Sequence, residues 1–382
     1  MIGVIADDLT GAAEIGAVGL RHGLRAEVVL DGEPSGDADL VCLDTDSRSC
    51  APGEAAERVA RAARVLRQQR AGWVFKKTDS VLRGNVTPEL EAIVSELGLD
   101  GALLVPANPS LGRTIVGGQY FLRGQMIHKT EFARDPKHPR LSSQVRELVA
   151  TPALLPLVVR RADEGLPERG IVIGNAASPG ELREWAALRN GRWLMAGGAD
   201  FFGALLNLPA ANAHAKPAAG KELFVCGSAS GVTRDFVARQ IARRVGVFSL
   251  PQQVALGGSF DVGRLTLLAH EVVAALQWTE RAVLHIGLPP VKDVATAEVL
   301  VLHLVRVAEQ VLLRAKVGRV FAEGGATAVA LARQMGWRRL QVIAELAPGV
   351  VTLSTRGESS ALLTMKPGSY PWPEGVAELG AR

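Results

Sequence analysis

Cysteine is scarce in this chain: 382 residues contain only Cys42, Cys50 and Cys226, with no C-x-x-C pair. That leaves no secreted disulfide framework, and small buried or half-buried residues is the reading for all three. Aromatic residues are also few (two Tyr, ten Phe, six Trp), which argues against a stacking platform for single-stranded nucleic acid. Charge of one sign is missing too. The 43 basic and 39 acidic residues leave a formal +4, too mild to argue for a nucleic-acid partner. No basic segment followed by a long apolar run marks a signal peptide. The most apolar helical stretch, Val294 to Lys316, is interrupted by Glu298, His303, Arg306 and Glu309, whereas a membrane span needs about 20 residues with few or no charges. The expectation is a cytoplasmic protein with neither a membrane nor a nucleic acid as partner. Several catalytic signatures are absent as well. There is no G-x-x-x-x-G-K-[ST], no G-x-G-x-x-G after a strand, no H-E-x-x-H and no G-x-S-x-G. The P-loop, the dinucleotide fingerprint, the helical zinc pair and the nucleophile elbow are thereby excluded. The seven histidines show no metal-ligand spacing, and the sequence specifies no metal ligands.

What is present reads as a soluble globular chain, 48% apolar and 21% charged, long enough for two cores. Short β-branched runs alternate with helical patterns. Strands are predicted at Ile2–Ala6, Ala26–Leu30, Leu40–Leu43, Trp73–Lys76, Ala102–Val105 and Ile171–Ile173. Pro52–Arg70 reads as a helix with Val59, Ala62, Ala63 and Leu66 on one face, and Thr87–Leu97 as another with Thr87 as its cap. Gly203 to Glu222, rich in Ala, Pro, Asn and Gly, reads as a linker. A second series follows: strands at Leu223–Cys226, Val283–Ile286 and Arg319–Ala322, and helices at Val232–Arg244, Ala295–Lys316 and Thr327–Met335. The fold class is α/β with two domains, residues 1–219 and 220–382, each a mostly parallel sheet flanked by helices.

Ligands of open α/β sheets bind beyond the carboxyl ends of the strands, and here chemically rich turns follow strand after strand. The opening MIGVIADDLTGAAEIG buries a strand and ends it on Asp7 and Asp8. A buried charge is costly unless paired or used. Asp7 as a helix cap, Asp8 paired with an arginine, and Lys77, Asp79 and Arg83 as a solvated cluster are the plain structural alternatives. In the second half the strands run into GSAS and EGGATA, turns that expose backbone N–H groups at helix starts and suit phosphate.

Together these motifs resemble a known family. ADDLTGA at Ala6–Ala12, KKTDSVLRGN at Lys76–Asn85 and GRTIVGG at Gly112–Gly118 are similar to the signature of the four-carbon acid sugar kinases. GSAS at Gly227–Ser230, GGAT at Gly324–Thr327, APG at Ala347–Gly349 and KPGS at Lys366–Ser369 are similar to its nucleotide-binding half. The resemblance covers essentially the whole chain. It implies an N-terminal domain for the sugar acid and a C-terminal domain for ATP with Mg²⁺, the active site lying in the interdomain cleft. The reaction implied is transfer of the γ-phosphoryl group to a terminal hydroxyl of threonate, erythronate or an oxo-tetronate. The chain departs from the pattern at Ala326, where the family's turn carries an acidic residue, and at KPGSYPW, where Pro367 lacks an N–H donor. Glu323 is the nearest substitute carboxylate.

Under that resemblance, Asp8, then Asp7, is the candidate base at the acceptor hydroxyl. Arg83 and Arg113 are candidates for the substrate carboxylate, which a planar guanidinium matches bidentately. Thr10, Lys77, Asp79, Ser80, Asn85, Gly117 and Gly118 complete the sugar-acid side. Ser228, Ser230, Gly324, Gly325, Ala326, Thr327, Gly349 and Gly368 form the ATP side. A homo-oligomer is left open. The competing expectations are a non-catalytic relative that binds the sugar acid, favoured by Ala326 and Pro367, and an oxidoreductase, disfavoured by the missing dinucleotide fingerprint.

Overall fold

Ile2–Ala6 forms β1, and Asp8 then caps α1, Leu9–Arg21. The next elements are β2 (Ala26–Val29), β3 (Leu40–Asp44), α2 (Pro52–Gln68), β4 (Trp73–Lys77), α3 (Val86–Leu97) and β5 (Gly101–Val105). Three short strands follow, β6 (Arg113–Val116), β7 (Gln119–Leu122) and β8 (Gln125–Met126), then α4 (Val145–Leu148) and β9 (Leu157–Arg160). β10 (Gly170–Gly174), α5 (Pro179–Ala187), β11 (Trp193–Gly197) and α6 (Ala199–Leu206) complete the first half. This computed structural model describes every residue except 136–137, 150–152, 209–219, 252–261, 290–292, 356–360, 369 and 379–382. The chain divides into two units, Met1–Ala213 and His214–Arg382.

In the first unit the strand order is β2-β3-β1-β4-β11-β5-β10-β9, with every pair parallel. α1 and α6 pack together on one face, and α2 packs with α3 on the other. The apolar stripes explain the layering: Val59, Ala63 and Leu66 of α2 and Leu90 and Ile93 of α3 meet Ile5, Val41 and Leu104 of the sheet. Burying one such side chain contributes about 1.5–3 kcal/mol. The sequence reading takes GRTIVGG, Gly112–Gly118, as a motif of the sugar-acid side. In the structure Arg113–Val116 is a strand of a separate antiparallel sheet, β6-β7-β8. Thr87 is not a cap. Asn85 holds the cap position of α3, and the Thr87 hydroxyl donates to the Val149 carbonyl at 2.8 Å.

The second unit contains β12 (Lys221–Cys226), α7 (Gly231–Ala242), β13 (Gly246–Ser249), α8 (Val262–Trp278), β14 (Arg281–His285), α9 (Val294–Arg314), β15 (Val317–Glu323) and α10 (Gly325–Gln334). β16 (Arg339–Ala347), β17 (Val350–Ser354), β18 (Leu362–Lys366) and α11 (Glu374–Ala377) follow. The strand order is β13-β14-β12-β15-β18-β17-β16, parallel as far as β18 and antiparallel beyond. Phe224, Phe236, Phe321 and Trp372 pack one face, with the Phe224 and Phe321 rings stacked at 4.4 Å. α8, α9 and α10 pack successively against one another. No helix among the described residues is long and apolar enough to cross a membrane. Of the expected linker Gly203–Glu222, its start belongs to α6 and its end to β12, while 209–219 lie outside the described residues.

Candidate active site

β1 ends beside β3 and β4, in register Ala6 to Asp44 and Ala6 to Lys77. The helix after β1 lies on one face, while those after β3 and β4 lie on the other. The chain therefore splays apart at the end of β1, which is where open α/β sheets bind ligands. Asp7 and Asp8 occupy this point. Asp8 takes extended backbone geometry (φ −150°) and accepts from the Gly11 N–H at 2.7 Å, capping α1. The Asp7 carbonyl accepts from the Ser47 and Arg48 N–H groups, stitching the loop after β3 to the same spot. Arg48 then reaches both carboxylates: its Nε and Nη2 donate to Asp7 Oδ2 and Oδ1 at 2.7 and 3.1 Å, and Nη1 to Asp8 Oδ2 at 2.6 Å. Its Nη2 also lies 3.8 Å from Asp79. Asp7 is sealed, its side chain 4% exposed, whereas that of Asp8 is 22% exposed. Arg48 went unnoticed in the sequence. The signal was there, a polar DTDSR turn after the third strand, of the kind flagged elsewhere.

The aspartates differ in proton affinity. Burial pushes both carboxyls up. At Asp7 the charges of Arg48 and Lys76 outweigh burial and hold the group below the usual carboxylate range. At Asp8 burial, joined by the negative charge of Asp7, prevails over Arg48, Lys77 and the Gly11 N–H, and the carboxyl lies above that range.

The KKTDSVLRGN segment builds the neighbouring wall. Lys76 is fully buried and pairs with Glu89 at 2.8 Å, and Glu89 also accepts from the Ser47 hydroxyl at 2.5 Å. Lys77 pairs with Glu14 at 3.0 Å, and although burial opposes its charge, Glu14, Asp7 and Asp8 hold it protonated above the usual lysine range. Arg83 departs from its expected role: all three guanidinium nitrogens face this protein's own carboxylates. Nε and Nη2 donate to Asp79 at 3.0 and 2.8 Å, and Nη1 to Asp135 at 3.0 Å. Asp79 is committed to the same turn through the Val81 and Arg83 N–H groups. Asn85, expected on the substrate, instead donates to the Ser47 and Cys50 carbonyls at 3.2 and 2.9 Å. Arg113 donates to the Ser80 hydroxyl at 2.6 Å, and the Tyr120 hydroxyl donates to the Ser80 carbonyl. Gly117 and Gly118 are the two-residue β6–β7 turn, with φ of 56° and 73°. Such a hairpin turn demands left-handed geometry at both positions, so these glycines have a structural reason to be there. Thr10 is half-buried in the first turn of α1.

In the second unit β12, β15 and β18 lie side by side, so their carboxyl-end turns converge. Ser230 caps α7, accepting from the Thr233 N–H at 3.2 Å, and its hydroxyl lies 3.2 Å from the Gly368 carbonyl. Ser228 Oγ accepts from the Ser230 N–H at 3.2 Å, and a Cβ on Gly368 would meet that Oγ at 3.2 Å. The Gly324 N–H donates to the Lys366 carbonyl at 2.9 Å, joining the EGGAT and KPG turns. Gly325, Ala326 and Thr327 open α10, with Ala326 exposed and Thr327 buried. A Cβ on Gly349 would meet Tyr370 at 3.3 Å and the Pro367 ring at 3.8 Å, placing that residue beside KPG. Ser369, part of the KPGS motif, lies outside the described residues. Two helix N-termini thus open on adjacent turns, an arrangement with exposed N–H groups and dipoles suited to phosphate. Glu323, the expected substitute carboxylate, is fully buried, accepts from the Thr233 hydroxyl and lies 3.3 Å from the buried Lys366. It does not fit a metal ligand at the surface of this turn. Among the described residues no group of three or more His, Cys, Asp or Glu is arranged to hold a metal ion.

A family model described as a sugar-binding N-terminal domain matches residues 2–205, and one described as a nucleotide-binding C-terminal domain matches 223–370. The chain is similar to a D-erythronate kinase of Heliobacterium modesticaldum, 40% identical over 153 residues, 38% of this chain and 35% of that one. It is likewise similar to a D-threonate kinase of Salmonella typhimurium, 36% identical over 157 residues, 40% of this chain and 37% of that one. The matches to these two span little more than a third of their length. A 3-oxo-tetronate kinase of Pseudomonas fluorescens is 28% identical over 97% of this chain and 94% of its own. A solved Haemophilus influenzae structure has the same fold, with a TM-score of 0.73, 21% identity and 96% of each chain covered. The sugar-binding match alone spans more than half of the residues, and the chain belongs to the four-carbon acid sugar kinase family.

Proposed function

We propose that this protein is an ATP-dependent kinase that transfers the γ-phosphoryl group to a terminal hydroxyl of a four-carbon sugar acid of the threonate, erythronate or oxo-tetronate type. The carrying observation is the aspartate pair at the end of β1. Two adjacent carboxylates sit in surroundings that drive their proton affinities apart, and the more basic one, Asp8, is the one that keeps solvent access. Such a split marks acid–base assignments. Asp8 accepts the proton of the attacking hydroxyl, and Asp7 stays ionised. The names of the relatives support the substrate class. With Arg83 locked between Asp79 and Asp135, Arg113 is the better candidate for the substrate carboxylate. On the ATP side, the N–H groups of Gly227–Ser230 and of the α10 start receive the phosphates. Mg²⁺ would neutralise phosphate charge, and since Glu323 is not a fitting ligand it would arrive held by the nucleotide.

The test is an ATP-coupled screen of D- and L-threonate, D-erythronate and the 2- and 3-oxo acids. Turnover of at least one is expected, and its absence across the set overturns the reading. Asp8→Asn should lower kcat by about 10²–10⁴-fold while the acid still binds; near-normal kcat would remove Asp8 from the base role. The second reading, a sugar-acid-binding protein without catalysis, is favoured by the sealed Glu323 and the exposed Ala326. Calorimetry that finds no ATP–Mg²⁺ binding at saturating acid would support it.

A further inference from the structure

We infer that Arg48 is the positioning residue of this site: its guanidinium pins Asp7 in place and aims the Asp8 carboxylate, and the Gly84–Asn85 end of the second motif is its socket. The inference rests on the proposed kinase reading for its kinetic consequence, but not for its geometry. A planar fork with Nε and Nη2 on one carboxylate and Nη1 on the next holds two adjacent aspartates in a fixed relation, which a lysine ammonium cannot do.

The surroundings are built to hold that fork still. The backbone on either side of Arg48 is tied down at Ser47 and Cys50 by the Asn85 amide, and at Ser47 and Arg48 by the Asp7 carbonyl. Gly84 has φ +88°, and a Cβ there would come within 3.0 Å of Arg48 Cγ and 3.2 Å of its carbonyl oxygen. Any side chain at position 84 would therefore push on Arg48 as well as strain its own backbone. This gives the R-G-N of the motif a purpose other than touching a ligand. The Arg48 side chain is 19% exposed, so its hold on the aspartates is little screened by solvent.

The charged groups around Asp8 come from every neighbouring element. Asp7 precedes it, Arg48 reaches it from the loop after β3, and Lys76 and Lys77 lie on β4. Asp79 and Arg83 sit in the next turn, and Glu14 of α1 and Glu89 of α3 neutralise the two lysines. Both lysines are paired with these glutamates, and Arg83 with Asp79 and Asp135. Among the described residues only Arg48 makes direct hydrogen bonds to both aspartates, and its charge lowers the proton affinity of each, so its removal should raise both titrations.

The experiment follows the carboxyl carbons of Asp7 and Asp8 by NMR in the full chain, in wild type, R48K, R48A and N85A, together with the pH dependence of kcat. Wild type should show two well-separated titrations. R48K keeps a charge but loses the fork. It should raise both titrations, move the acid limb of kcat to higher pH and lower kcat by about 10²-fold, the effect of a small misplacement of a catalytic group. Added guanidinium should restore part of the activity of R48A, and N85A should move both readouts in the same direction as R48K. An R48K protein with unchanged titrations and an unchanged acid limb overturns the inference, as does loss of activity in R48A that guanidinium does not rescue. Should R48A fail to fold, R48K and N85A decide the question. If the wild type phosphorylates none of the acids, the function reading fails while the carboxyl titrations still test the role of Arg48.

Discussion

Asp8 serves two demands that pull against each other. As the cap of α1 it should be ionised and bonded to Gly11, yet its burial beside Asp7 raises its proton affinity. A carboxyl whose native pKa lies above its unfolded value opposes folding once it ionises. The penalty is absent below the unfolded value near pH 4 and grows as pH rises through the native one. Asn also caps helices well. Asp8→Asn is therefore expected to melt at or above the wild-type temperature at pH 7, with that advantage gone near pH 3.5, while catalysis is lost. Thermal unfolding at the two pH values checks it, and a large fall in melting temperature at pH 7 would show that the charge stabilises the fold after all. Catalytic groups commonly stand in such opposition to stability.

Among the elements, the α2–α3 layer carries the sheet that positions this pair. Leu90 is fully buried between α3 and the sheet, so Leu90→Ala should cost about 2–5 kcal/mol in denaturant unfolding, with no direct effect on ligand contacts. A loss under about 1 kcal/mol would mean the site collapses easily around the cavity. The β6–β7 hairpin makes a contrasting case. Gly118 has φ +73°, and Gly118→Ala should cost roughly 1–2 kcal/mol through left-handed strain. If that variant lost sugar-acid affinity without losing stability, Gly118 would belong to the ligand after all. β1, β3, β4, α2 and α3 were legible because each has a clean apolar period ended by polar residues. The hairpin was not, because Arg113–Val116 is four residues of mixed burial paired to a strand equally short. In the second unit, Ser230→Ala should cost about 0.5–2 kcal/mol through the lost α7 cap and weaken ATP binding in calorimetry.

For the molecule as a whole, the depressed carboxyls set the acid limit. Asp79 lies well below the usual range: burial raises it, but Arg83 and Arg48 outweigh burial. Asp7 is lowered too. A carboxyl with a lowered native pKa contributes stability that is present above its unfolded value and is lost as pH falls through the native one. Unfolding free energy should therefore fall steadily below about pH 4, and Asp79→Ala should flatten that fall while reducing stability at pH 7. A slope unchanged in the variant would place the acid sensitivity elsewhere. The sequence by itself determined the α/β class, the aspartate pair at the end of β1, and the converging Gly-Ser turns of the nucleotide-binding half, because these depend on short-range pattern and on strand ends that always share one edge of a parallel sheet. Tertiary structure alone decided which cation meets which carboxylate. Arg48 and Arg83 look alike along the chain, yet one clasps Asp7 and Asp8 and the other is closed between Asp79 and Asp135. It also decided that Trp193–Gly197 inserts between Trp73–Lys77 and Gly101–Val105. Ion-pair choice and strand order depend on distances across loops of tens of residues, and local periodicity carries no record of those distances.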